Sequence, residues 1–110
     1  KFATAYATMV HKLTTKYDAA EVFLFTLPRN NYLWQGTKEQ YNTLQDEYNK
    51  MIYKIADVFG CQVVDVAASV GEDYSAYLLN DGIHPNAKGM DIITAAFETA
   101  LYSYYYETLN

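Results

Sequence analysis

Residues 21–26 read Glu21-Val22-Phe23-Leu24-Phe25-Thr26, and Pro28 closes the run. Branched and aromatic side chains crowd together here without polar alternation. That pattern predicts a strand covered on both faces, the parallel-sheet type. A second run of the same kind, Cys61-Gln62-Val63-Val64-Asp65-Val66, lies further along. Between the two, Thr37 is a good N-cap, and Gln40 completes a capping box with it. Tyr41, Leu44, Tyr48, Met51, Ile52, Ile55 and Phe59 then recur at helical spacing. Gly60 suits the left-handed position that ends a helix. Strand, helix, strand predicts a parallel pair joined by a right-handed crossover.

Outward from this unit, a helix is expected from about Phe2 to Tyr17, with Tyr6, Met9, Val10, Leu13 and Tyr17 on one face. His11 falls off that stripe and belongs to solvent. Ala67 to Asn80 is mixed, with room for one short helix. A last helix begins near Ala87 and is expected to bury Met90, Ile93, Phe97, Leu101 and Tyr104. An isolated strand pair is marginal, and parallel strands want helices on both faces. The expectation is therefore that residues 1–110 are one portion of a single larger α/β domain, with further strands on the N-terminal side.

A chain of 110 residues suits one domain, and 51% apolar with 19% charged residues is globular composition. The net charge of −5, with no basic stripe, argues against nucleic-acid binding. No apolar run approaches the roughly 20 residues of a membrane span, and the chain opens on a helical pattern rather than a signal peptide. The lone Cys61 allows no internal disulfide and no metal cluster, and reads as a small apolar residue at the start of a strand. No metal or organic cofactor is called for. Twelve tyrosines admit two readings: packing at helix surfaces with the hydroxyl in water, or a stacking surface for sugar rings.

The chemistry concentrates in Asn80-Asp81-Gly82-Ile83-His84-Pro85-Asn86-Ala87-Lys88-Gly89. Gly82 permits a tight turn between Asp81 and His84. Pro85 stiffens the setting of the histidine, and Asn86 can cap the helix that follows. Across such a turn the carboxylate can fold back and accept a hydrogen bond from one imidazole N–H. The other ring nitrogen is then free to act as a base, the orienter–base pair of acyl transfer. On the bare segment two plainer readings stand beside this one: an Asp–Gly turn and a solvated histidine.

Asp81-Gly82-Ile83-His84-Pro85-Asn86, with Gly89 and an amphipathic helix behind it, resembles the last sequence block of SGNH (GDSL-type) hydrolases. The resemblance implies that Asp81 and His84 are the acid and base of a catalytic triad. It implies a flavodoxin-like three-layer α/β fold, represented here by its last two parallel strands and three helices. It implies hydrolysis of an ester, such as an acetyl or short acyl group on a carbohydrate. The pattern also departs from the family. The nucleophile of that family sits in a Gly-Asp-Ser-type segment after the first strand, and its oxyanion donors are a glycine and an asparagine from intervening loops. None of these blocks occurs in residues 1–110. Ser69, Ser75 and Ser103 lack the required setting, and Asn80-Asp81 lacks the glycine that precedes the oxyanion asparagine. The chain is thus expected to supply the Asp–His pair but not the serine. Its expected partners are the N-terminal half of the same fold, or a second copy of the chain, besides the ester.

In that family the loop after the first strand seen here borders the substrate pocket. Trp34, near Arg29, Tyr32 and Leu33, is then a candidate contact to an acyl group or a sugar. The alternative is that it covers its own loop. Asp65 reads as a structural acceptor for loop N–H groups. The rival to an esterase is a binding or assembly module derived from one, which the tyrosines and the missing serine favour.

Overall fold

The computed structural model describes residues 1–16, 21–31 and 36–109. Helix α1 (Phe2–Thr15) leads to strand β1 (Phe23–Phe25), helix α2 (Lys38–Phe59), strand β2 (Gln62–Val64), the short helix α3 (Val66–Val70), a 3₁₀ turn (Tyr74–Tyr77) and helix α4 (Ala87–Leu109). β1 and β2 pair in parallel, with Phe23, Leu24 and Phe25 opposite Gln62, Val63 and Val64. Bonds from Gln62 N–H to the Val22 carbonyl and from Thr26 N–H to the Val64 carbonyl carry the ladder one residue further at each end. The architecture is α/β, as the alternation of the two runs with a helix predicts.

Successive strand residues face opposite ways. Leu24 turns toward α1 and α2, where Val10, Ile52, Ile55 and Ala56 complete a buried cluster flanked by Tyr6, Phe59 and Val63. Phe23 and Phe25 turn the other way. Their rings meet Phe97 of α4 at 5.3 and 5.6 Å, and Phe23 also meets Tyr104. This second face is only half closed: Phe23, Phe25, Ile93, Phe97 and Leu101 all keep partial exposure. The strand expected to be covered on both faces is fully covered on one.

Local signals set the element ends. Thr37 and Gln40 form the capping box, and Gly60 closes α2 at φ 69°. Asp65 was expected inside the second strand, but its side chain accepts from Ala68 N–H and caps α3, so β2 stops at Val64. Three residues placed on buried faces turn outward: Met9 is 47%, Leu44 45% and Met90 50% exposed. In α2 the buried residues all lie in the second half, beyond Leu44. In α4 the inward face begins at Gly89, which is buried, and a step of about 100° per residue carries Met90 away from it. Tyr17, placed at the end of the first helix, lies outside the described residues. His11 is exposed, with its ring 5.7 Å from that of Phe59. Among the described residues, no helix is long and apolar enough to cross a membrane.

Candidate active site

At the carboxyl ends of the strands, a polar knot joins β1 to β2. Thr26, 2% exposed, donates from its hydroxyl to Asp65 Oδ1 at 3.0 Å and accepts from Ala67 N–H at 2.9 Å. Asp65 also accepts from Tyr53 Oη at 2.8 Å and from Ala68 N–H at 3.2 Å. Burial, and then the bond to Asp65, push the Tyr53 phenol up to about 12, so it stays a donor at any ordinary pH. Every bond to the Asp65 side chain is structural, as the sequence reading expected.

From this end of the sheet the chain runs through α3 and the 3₁₀ turn into the loop that carries Asp81 and His84. The loop is a closed backbone circuit. Leu79 N–H donates to the His84 carbonyl at 2.8 Å, and Gly82 N–H donates back to the Leu79 carbonyl at 3.0 Å. Leu78 and Pro85 form an antiparallel bridge. Gly82 adopts φ 74°, the left-handed conformation that glycine tolerates without penalty. Asn86 locks the exit: its backbone N–H donates to the Tyr77 carbonyl and its side-chain amide to the Ala76 and Leu78 carbonyls, while its Oδ1 accepts from Gly89 N–H at 3.0 Å. One asparagine thus caps α4 and pins the 3₁₀ turn to it.

Within this frame Asp81 folds back on the histidine. Its Oδ1 accepts from Ile83 N–H at 2.9 Å and from His84 N–H at 3.0 Å, and its Oδ2 lies 2.6 Å from His84 Nδ1. The bond to His84, reinforced by the two backbone donors, lowers the Asp81 carboxyl to about 2. At neutral pH Asp81 is therefore ionised and can only accept, so the proton of the pair resides on Nδ1. In the neutral imidazole the other ring nitrogen, Nε2, then carries the lone pair. No described residue bonds it, and the His84 side chain is 70% exposed. Chemically this is a base with a fixed tautomer, open to solvent on its reactive side.

Two close approaches escaped the sequence reading, which named Gly89 only as part of the motif and did not name Asn31 as a neighbour of the loop. Asn31, in the segment leaving β1, donates from its backbone N–H to the Gly82 carbonyl at 2.8 Å and rests its side chain against Gly82. A Cβ on Gly82 would stand 3.1 Å from that of Asn31. Gly89 lies so close to the Tyr77 carbonyl that a Cβ there would overlap it, and would stand 2.9 Å from Pro85 Cβ. Neither approach has a signature in local sequence: Asn31 and Gly82 lie far apart in the chain, and the approach of Gly89 to Tyr77 depends on how α4 packs against the 3₁₀ turn. Trp34, with Tyr32 and Leu33, lies outside the described residues. Arg29 is turned to α2, where its guanidinium meets the Asn42 carbonyl, Gln45 Oε1 and Asp46 at 2.9–3.3 Å. Ser69 donates to the Asp65 carbonyl and Ser75 accepts from the Asn31 side chain. No described serine bonds His84.

Comparison with curated proteins finds no match. The model of the GDSL-like Lipase/Acylhydrolase family matches residues 1–92, a span that holds both strands and the whole Asp81–His84 loop, and the chain belongs to that family of ester hydrolases.

Proposed function

We propose that Asp81 and His84 are the orienting acid and general base of a serine esterase, and that this chain is the portion of an SGNH-type domain that carries them. The observation that supports the reading is the 2.6 Å contact of Asp81 Oδ2 with His84 Nδ1, made by a carboxylate held ionised by three hydrogen bonds. In the complete enzyme the serine hydroxyl comes from a Gly-Asp-Ser-type segment absent from residues 1–110. As the serine oxygen attacks the ester carbonyl, His84 Nε2 takes its proton and Asp81 stabilises the resulting imidazolium. When the C–O bond to the alcohol breaks, Nε2 returns that proton to the leaving oxygen. Water repeats the sequence on the acyl-enzyme. On this reading the substrate is an acetyl or short acyl ester, with a carbohydrate as its alcohol. Exposed Tyr102, Tyr105 and Tyr106 offer sugar-stacking rings at one end of the molecule.

The two-stranded sheet supports the same division of the fold. β1 and β2 pair only with each other among the described residues, and the face toward α4 is half covered. A complementary half of the domain, or a second copy, would close both. The deciding experiment joins the chain to a segment bearing the serine and measures p-nitrophenyl ester hydrolysis. Activity that vanishes in His84→Ala, with the circular dichroism unchanged, is expected. Full activity in that variant would overturn the assignment. A folded assembly that hydrolyses no ester would favour the binding-module reading.

A further inference from the structure

The imidazole of His84 has little around it to fix its direction. Its side chain is 70% exposed, and among the described residues its ring is anchored by the bond from Nδ1 to Asp81 Oδ2. With so little packing against it, the aim of the ring depends on where the backbone of His84 is held. That backbone belongs to a short antiparallel ladder. Leu79 N–H donates to the His84 carbonyl at 2.8 Å, Asn86 N–H donates to the Tyr77 carbonyl at 2.9 Å, and Leu78 stands opposite Pro85 between them. The far side of the ladder leaves the 3₁₀ turn, whose closing bond from Leu78 N–H to the Ser75 carbonyl is long, at 3.4 Å. A four-residue turn of this type is held weakly by its own bonds. The Asn86 side chain supplies the hold. Its Nδ2 donates to the Ala76 carbonyl at 2.9 Å and to the Leu78 carbonyl at 3.3 Å, while its Oδ1 accepts from Gly89 N–H at 3.0 Å. We propose that Asn86 is a positioning residue for the reaction: by clamping the 3₁₀ turn to the start of α4, it fixes the register of the ladder and with it the aim of His84 Nε2. The proposal rests on the esterase reading for what the imidazole does, but not for what holds it.

The two ends of the Asn86 amide do separable work. Oδ1 is an ordinary N-cap on α4, a place where serine or aspartate serves as well. Nδ2 reaches back to two carbonyls of the turn, which takes two N–H donors on one planar group. A serine hydroxyl carries one proton and reaches one bond less far. An aspartate carries no donor and sets an oxygen against the same two carbonyls. Gly89 completes the clamp, since without a side chain there α4 lies close enough to the Tyr77 carbonyl for one asparagine to span both elements. The cap thus serves the stability of α4, and the clamp serves the geometry at the base. A displacement of about 1 Å at a reacting group can cost on the order of 10²-fold in rate, so a clamp two residues from the imidazole has leverage beyond its own few bonds.

The test uses Asn86→Ser and Asn86→Asp, which keep the cap and lose the clamp. Either one carries the test should the other fail to fold. In the isotope-labelled chain, three-bond couplings read the χ1 rotamer of His84 and ring nitrogen shifts read its tautomer. The parent chain is expected to show one rotamer with the proton on Nδ1. Both variants are expected to average over rotamers, with helical content by circular dichroism unchanged. In the complete enzyme both should lower kcat by roughly 10- to 100-fold, with KM within about twofold of the parent. The loss in Asn86→Asp should persist at high salt, which screens the added charge and leaves the geometry as it is. Gly60→Ala, at the C-terminal end of α2, is the control for stability alone: its urea midpoint should fall while kcat holds. Undiminished kcat in both variants, His84 couplings unchanged in both, or an equal loss of kcat in Gly60→Ala would overturn the positioning role. An assembly that hydrolyses no ester, while the variants still loosen the His84 rotamer, overturns the esterase reading and leaves the clamp standing.

Discussion

The Asp81–His84 loop closes on itself, whereas the sheet beside it stays open. In the loop, Leu79 bonds His84, Gly82 bonds Leu79, Asp81 bonds Ile83 and His84, and Asn86 bonds back to Ala76, Tyr77 and Leu78. Partners in that circuit are near neighbours in sequence, and Asn31 adds one strut from outside. β1 and β2 pair three residues with three, and the rings that cover one face of β1 remain half exposed. The contrast separates two demands on a chain. A catalytic geometry can be written into a short stretch, because turn residues and caps act locally. A parallel sheet is non-local, and its stability depends on strands and helices brought from elsewhere. The chain is thus expected to hold its candidate site better than it holds its fold.

The largest expected effect breaks the comparison on the side of chemistry. The chain alone should not turn over p-nitrophenyl acetate above background, since a positioned base without a nucleophile supplies little of the rate enhancement. In the complete enzyme, His84→Ala should lower kcat by on the order of 10⁴ or more. Serine-inhibitor-sensitive turnover by the chain alone would show that residues 1–110 hold a nucleophile after all. Asp81→Asn comes next. The amide can donate toward Nδ1 and so favours the wrong imidazole tautomer, for a loss of roughly 10³ to 10⁴. A variant with near-normal rate and pH profile would reduce Asp81 to a turn residue.

The sheet gives the second kind of prediction. Val22 to Phe25 present an apolar run along a strand paired on one side, a feature that invites a further strand. The chain at micromolar concentration should therefore self-associate, or, on the proposed reading, take up a complementary half of the domain when that is supplied. Sedimentation velocity reads the outcome directly. A single monomeric species that unfolds cooperatively would show that three paired residues and four helices suffice. The site frame should respond more modestly to a single methyl. Gly89→Ala places a Cβ against the Tyr77 carbonyl and Pro85, and overpacking of that kind costs about 1–3 kcal/mol. At Gly60 the same change meets no neighbouring atom, and only the left-handed backbone resists it, at roughly 1 kcal/mol. Urea midpoints for the two variants, measured in one assembly state, should rank in that order.

The same contrast explains what the sequence discloses. Thr37, Gln40 and Gly60 bound α2 because a cap is a side chain meeting backbone within three or four residues. Asp81-Gly82-Ile83-His84 is legible for the same reason. Asp65 carried a readable signal as well: an aspartate ahead of Val-Ala-Ala-Ser is N-cap chemistry, and the apolar run before it masked the point where strand gives way to helix. The 3₁₀ turn at Tyr74–Tyr77 is too short to show any period. The exposure of Met9, Leu44 and Met90 and the role of Asn31 arise from contacts between distant segments, and the close approach of Gly89 to Tyr77 from the packing of α4 on the 3₁₀ turn. Periodicity cannot supply them, because it specifies a stripe on a helix and not the neighbour that covers it.

The smallest expected effect tests whether the loop is as self-contained as its bonds imply. Three donors, of which His84 Nδ1–H is the strongest influence, hold Asp81 at about 2, below the 3.8 of a free aspartate. In the unfolded chain those donors are lost, so Asp81 titrates at its ordinary value. A carboxyl depressed in the folded state contributes stability above the unfolded pKa and gives it up as pH falls through the folded one. The window here is therefore about pH 4 down to about pH 2, and between pH 5 and 8 this group should leave stability flat. Carbon-detected titration of the Asp81 carboxyl measures the midpoint directly. If the loop is locally determined, the midpoint should be the same in the isolated chain and in the complete enzyme, because every group that lowers it lies within Asp81–His84. Removing the His84 imidazole should raise it toward the ordinary value by the largest single step, with Ile83 and His84 backbone donors still holding it somewhat low. A midpoint near 3.8 in the isolated chain, falling only when the complementary half is added, would mean that the loop is assembled by its surroundings. The difference between the two regions would then be one of sequence distance alone and not of stability.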